Sequence, residues 1–167
     1  MKRHHAWERA VSGTLAGLAG TVLIQGVQAA GMKYLPQHMP PIRQHPGEFI
    51  VEKTEDALKK SEKGARAVGK IPEAVEKAVA QALGVGYGLT FALLLAATRR
   101  RVRHVVAEGS AIGLATWAAG YLGWLPATKL MPPVTRQKPV QVIGGIASHL
   151  AFGVLTAALY RELRRRL

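Results

Sequence analysis

Apolar and polar positions fall in long blocks along this chain. Four apolar blocks lie at 10–31, 79–98, 105–125 and 140–160. Each is roughly 20 residues, the length an α-helix needs to cross a ~30 Å hydrocarbon core. The amphipathic helices of a soluble protein would break such runs with polar residues at every turn. The pattern predicts an all-α fold: a single membrane domain over 1–167, built as a bundle of four transmembrane helices, with a polar external segment at 32–78.

The polar segment divides in two. LPQHMPPIRQHPG (35–47) is too rich in proline for regular helix, because each proline removes a backbone donor and restricts the residue before it. From 48 to 70 the composition becomes charged and helix-favouring. Leu58, Ala65 and Val68 recur at helical spacing, and Gly64 and Gly69 weaken the stripe. Two readings stand for this part: a helix lying along the membrane surface, or a solvated and partly ordered linker. Pro72 suits the first turn of a new helix, with Glu73 and Glu76 at its positive end, and that helix should continue into the second apolar block.

The first block admits two readings as well. MKRHHAWER, an apolar run and then VQAAG resemble a secretory signal with a cleavage point after Ala29. The length of the run and Glu8 within its basic flank favour a retained first helix.

Two parts of the chain resemble each other. GTLAGLAGT (13–21) matches GSAIGLATW (109–117), and YGLTFALLLAATRR (87–100) matches FGVLTAALYRELRR (152–165), in the same order and orientation. This suggests two tandem helical hairpins related by an axis along the membrane normal.

Charge refines the picture. The net charge is +13, which invites a nucleic-acid reading. The apolar residues, however, lie in four membrane-length blocks, which argues against a nucleic-acid partner. Eleven of the basic residues crowd three short segments: Lys2, Arg3 and Arg9; Arg99, Arg100, Arg101 and Arg103; and Arg161, Arg164, Arg165 and Arg166. All three fall on one side of a four-span topology. The other side spreads twelve over a longer stretch, where seven acids offset nine of them within the long loop. Both termini are therefore expected in the cytoplasm. The arginine clusters set topology first, and anionic lipid headgroups are their natural ligands. There is no cysteine, so thiolate metal sites, disulfides and a catalytic thiol are excluded.

The stretch GVGYG (84–88) resembles the potassium-filter signature TVGYG. A filter needs a non-helical loop whose carbonyls replace the hydration shell of the ion. Here the motif lies inside an unbroken apolar run of one full span, where extracting it would strand backbone groups in lipid. The glycines read better as helix-packing notches, and Gly84 and Gly88 share a helix face. The same small-xxx-small device recurs at Gly13, Gly17 and Gly20, at Gly109 and Gly113, and at Gly153 with Ala157.

His149 is the only potentially charged side chain near the middle of a block. Such residues often mark a proton path or a pH sensor. The competing reading is a neutral histidine bonded to a carbonyl, or to Thr116, Gln25 or Gln28 of another helix. Glu108 is a second proton-site candidate, set against pairing with Arg101, Arg103 or His104. Gln25 and Gln28 are expected in interhelical amide bonds. His38 and His45, near Met32 and Met39, match no metal motif. No metal, cofactor or catalytic set is expected, and the chain reads as a non-enzyme.

GWLPATKLMPP (123–133) and SHLAFGVLTAALYRELRRR (148–166) resemble the YagU-like bacterial inner-membrane proteins. In that family a glycine-rich span leads to an LP…G/K-L-x-PP loop and then to a span that opens H-L and ends in arginines. The resemblance covers about 108–166, and the charged loop at 47–77 departs from it. It implies an integral inner-membrane protein associated with acid resistance, and it carries over His149 and the Pro132–Pro133 turn without a role. The expected function is envelope or acid-stress tolerance through protein or lipid contacts, with a homo-oligomer or another membrane protein as partner. The alternative is a small proton or ion pathway at His149.

Overall fold

A computed structural model of the chain describes residues 2–68 and 72–166. All regular structure among them is helical. Helix α1 (Lys2–Tyr34) takes in the first apolar block and its basic flank. The proline-rich stretch holds only a short 3₁₀ turn, Pro36–His38. Helix α2 (Pro46–Leu58) starts two residues earlier than the charge pattern suggests, because Pro46 is tolerated where backbone N–H groups are unpaired anyway. His45 caps it, its Nδ1 accepting the Gly47 N–H at 3.3 Å.

The charged stretch, for which a surface helix and a partly ordered linker both stood open, holds two helices. Helix α2 stops at Leu58, and Ser61 closes the turn by donating both its N–H (3.1 Å) and its hydroxyl (3.3 Å) to the Leu58 carbonyl. Helix α3 (Glu62–Val68) follows. Gly69 and Lys70, the expected end of this stretch, lie outside the described residues. Helix α4 (Glu73–Thr98) begins behind Pro72 and runs without interruption, so GVGYG is helical.

Among the described residues, three helical segments are long and apolar enough to cross a membrane: Ala6–Tyr34, Glu73–Thr98 and Pro139–Arg166. The fourth expected span, 105–125, is not one straight helix. Helix α5 (Val105–Ala118) passes into a π-helical turn (Ala119–Trp124) and then a single turn, α6 (Leu125–Ala127). Gly123 leaves the helical region at φ −98°, ψ −109°, and Pro126 has no N–H to offer the turn before it. Helix α6 ends in a Schellman-type cap. Lys129 is left-handed at φ 62°, and the Leu130 N–H reaches back to the Leu125 carbonyl at 3.0 Å. Leu130 and Met131 are buried behind it. The last helix is α7 (Pro139–Arg166).

The chain forms two compact units, Met1–Pro41 with Tyr87–Leu167, and Ile42–Gly86. In the first, α7 packs on both α1 and α5. The part of α4 in this unit meets α1, where Gly13 and Gly17 face Ala96 and Ala92. It also meets α5, where the Tyr87 hydroxyl donates to the Thr116 carbonyl at 2.9 Å. Interior positions are mostly small: Ser12, Ala16, Thr21, Ala92, Ala96, Thr116, Thr156 and Ala157 are buried. Large aliphatics such as Leu15, Val22, Leu94, Leu114 and Ile143 face outward. This is the reverse of a soluble core and suits helices that associate by close packing in an apolar solvent. In the second unit Gly47 of α2 lies against Ala80 of α4, where an added Cβ would sit 2.9 Å from the Ala80 Cα.

Candidate functional site

The most chemically distinctive region of the first unit is the turn from α4 to α5, residues 99–104. Its sequence is Arg-Arg-Arg-Val-Arg-His, and the one apolar member decides its conformation. Val102 is buried in a cluster with Leu95, Ala157 and Tyr160, so the flanking arginines must point away from it. Tyr160, fully buried on α7, donates its hydroxyl to the Arg99 carbonyl at 2.9 Å. That bond ties the turn to α7, whose next turn carries Arg161 and Arg164.

Glu108 completes the turn. Its Oε1 accepts the backbone N–H groups of Arg103 (2.8 Å) and His104 (3.0 Å), and its Oε2 pairs with Arg99 Nε at 3.3 Å. Pairing was expected with Arg101, Arg103 or His104 side chains. The observed ion-pair partner is Arg99, while Arg103 and His104 contribute backbone N–H groups, because a carboxylate in the first turn of α5 lies over the unpaired N–H groups of the helix start. These bonds employ Glu108 as a cap.

At the end of α7, Arg164 Nη1 pairs with Glu8 of α1 at 3.0 Å, and Arg166 pairs with Glu162 at 2.8 Å. The turn and the helix end meet. Arg101 and Arg103 line a cleft of about 520 Å³ together with Arg161, Arg164 and Arg165. A second cleft, of about 400 Å³, is lined by Arg99, Arg100, Arg101 and Arg103 with Thr98 and Glu108. Two arginine clusters expected to share a side of the membrane thus form one continuous basic face, and Glu8 ties the N-terminal helix to it. Guanidinium groups converging on clefts of this size can take phosphate or carboxylate oxygens in paired hydrogen bonds.

His149 lies elsewhere, on α7, and is 7% exposed. Its Nδ1 is 2.8 Å from the Gly145 carbonyl of its own helix. A carbonyl only accepts, so Nδ1 carries the hydrogen. The ring stands edge-on to Tyr121 of the π-turn, with centroids 5.3 Å apart, and Tyr121 stacks on Trp117. The partner is a carbonyl, as one reading anticipated, and not Thr116, Gln25 or Gln28. Gln25 and Gln28 are partly exposed and make no side-chain hydrogen bond among the described residues.

The packing glycines mostly sit where helices approach. A Cβ built on Gly109 would lie 2.6 Å from the Val154 Cα, and one on Gly113 would lie 3.1 Å from the Leu150 Cα. Gly153 faces Gly109 and Gly113 in return, and Gly88 faces Thr21. Gly20 faces Thr156 and Phe152. Gly84 is partly exposed. The anchoring role of Tyr160 was not anticipated. Its one sequence signal is position, four residues before Arg164 on the same face of α7. Comparisons with protein-family models, with curated proteins and with solved structures returned no match.

Proposed function

We propose that this chain is a four-span protein of a bacterial inner membrane, with both termini cytoplasmic. It works without catalysis, through contacts with anionic lipid and with other protein, in support of envelope and acid-stress tolerance. The observation that carries this reading is the basic face, built by one buried valine, one buried tyrosine and two carboxylates from three helices. The helical path from Val105 to Ala127 supports the fourth crossing, since 23 residues at 1.5 Å each give roughly 34 Å. Basic residues concentrated at one end support the cytoplasmic placement of that end. The YagU-like features of the second half point the same way. The bond from His149 to its own helix favours a packing role over a proton or ion pathway.

Photo-crosslinking in native membranes, from probes placed at Arg100 and Arg161, tests the proposal. It should recover anionic lipid together with a second copy of the chain or one defined membrane protein. Recovery of random neighbours overturns it.

A further inference from the structure

Charge on the basic face is unevenly compensated. Arg99, Arg164 and Arg166 each have a carboxylate at 3.3 Å or less. Arg100, Arg101, Arg103, Arg161 and Arg165 have none at ion-pair distance among the described residues. These five surround the two clefts unequally. Arg100 belongs to the smaller cleft, Arg161 and Arg165 to the larger, and Arg101 and Arg103 to both. The clefts are therefore adjacent, each has unpaired guanidinium groups of its own, and a shared pair of arginines lies between them.

The larger cleft carries a further sign of a ligand. Arg164 is held by Glu8 through Nη1, yet its Nε is buried and has no hydrogen-bond partner. A buried donor without an acceptor is unfavourable unless something supplies one. Arg164 lines the larger cleft with Arg161 and Arg165, so this unmet donor belongs to a side chain of the cleft wall. Apolar surface adjoins both sides of the face: Trp7, next to Glu8, is 72% exposed, and Val106, two residues before Glu108, is 69% exposed. Acyl chains attached to a bound anion would lie along such surface.

We propose that the basic face binds an anionic lipid whose headgroup carries two phosphodiesters joined by a short linker. One phosphate occupies each cleft, with Arg101 and Arg103 between them. This rests on the reading that this end of the protein lies at the membrane surface, and it narrows the lipid from any anionic species to a two-phosphate one.

Native mass spectrometry of the full chain in detergent tests the proposal. The probes are cardiolipin, phosphatidylglycerol at matched phosphate, phosphatidylcholine, and inorganic pyrophosphate. Cardiolipin should bind about tenfold more tightly per phosphate than phosphatidylglycerol, the scale of one to two arginine–lipid contacts. R100Q in the smaller cleft, and R161Q with R165Q in the larger, should each reduce that preference to near unity. R43Q with R66Q, which removes from the other unit the same two charges as R161Q with R165Q, should leave it unchanged. All these side chains are exposed or partly so, and a thermal melt confirms that each variant is folded. Equal binding of the two anionic lipids overturns the two-phosphate inference but leaves the anionic-lipid reading standing. Binding of phosphatidylcholine as tightly as either overturns both. Pyrophosphate binding more tightly than cardiolipin makes the ligand a soluble diphosphate and overturns the lipid. An equal loss from R43Q with R66Q reduces the effect to bulk charge and overturns the site.

Discussion

The α1–α4 and α5–α7 interfaces are written in nearly the same words and packed differently. Gly13 and Gly17 correspond in sequence to Gly109 and Gly113, and Gly88 corresponds to Gly153. In α1–α4 the glycines face side chains: the Ala96 Cβ at 2.7 Å from a Cβ built on Gly13, and Ala92 with Leu89 Cδ2 beside Gly17. In α5–α7 they face backbone: Val154 Cα, the carbonyls of His149 and Gly153, and the main chain of Gly113. The register differs too. Gly17 meets residues 89 and 92, whereas Gly113 meets 149 and 150, which align with 84 and 85. The lesson is that a small-xxx-small motif states only that a helix can be approached. How closely depends on the residue opposite. Where glycine faces glycine the main chains touch, and where it faces alanine a methyl group keeps them apart.

The largest break of this contrast comes from Gly153→Ala. The new methyl would lie 2.6 Å from the Gly113 nitrogen and 2.9 Å from its Cα, and main chain cannot rotate away. Thermal unfolding in detergent should show a loss of about 3 kcal/mol, the upper part of the overpacking range. No partner substitution should recover it. Gly17→Ala should lose less, roughly 1–2 kcal/mol, because its obstacles are the methyl of Ala92 and a leucine end. Adding Ala92→Gly should restore most of that, a coupling that a double-mutant cycle measures directly. Failure of the second substitution to restore stability would mean that the two interfaces are alike after all. Gly86→Ala should change least and in the opposite direction. A Cβ there meets nothing within 4 Å, so relief of backbone freedom in mid-helix should add about 0.5–1 kcal/mol.

Parts of the candidate site were legible before the fold was known. Arg99 through Arg103 and Arg161 through Arg166 stand out as clusters, and a four-span reading of the apolar blocks assigns them to a common side of the membrane. That they form one face with two clefts was not legible, because it depends on Val102 entering the interior and on a bond from Tyr160 to a residue 61 positions away. Glu108 was marked as a partner for arginine, but the choice of Arg99 came from the capping geometry of a helix start. His149 stood out as a lone ionisable group, yet its bond to Gly145 and its edge-on contact with Tyr121 needed the π-turn in place.

The sequence by itself determined where the three long apolar helices are. Twenty apolar residues without a charge have few other ways to satisfy their backbone in lipid, so block length and proline placement locate α1, α4 and α7 directly. It also settled that GVGYG is helical, because no flanking polar segment exists to carry a loop. Only the tertiary structure decided the kink at Gly123, the register of each glycine contact, and the meeting of the two arginine clusters. Each of these depends on which surfaces face one another across distant positions in the chain, and hydropathy, which measures transfer from water, takes the same value whichever neighbour a residue meets.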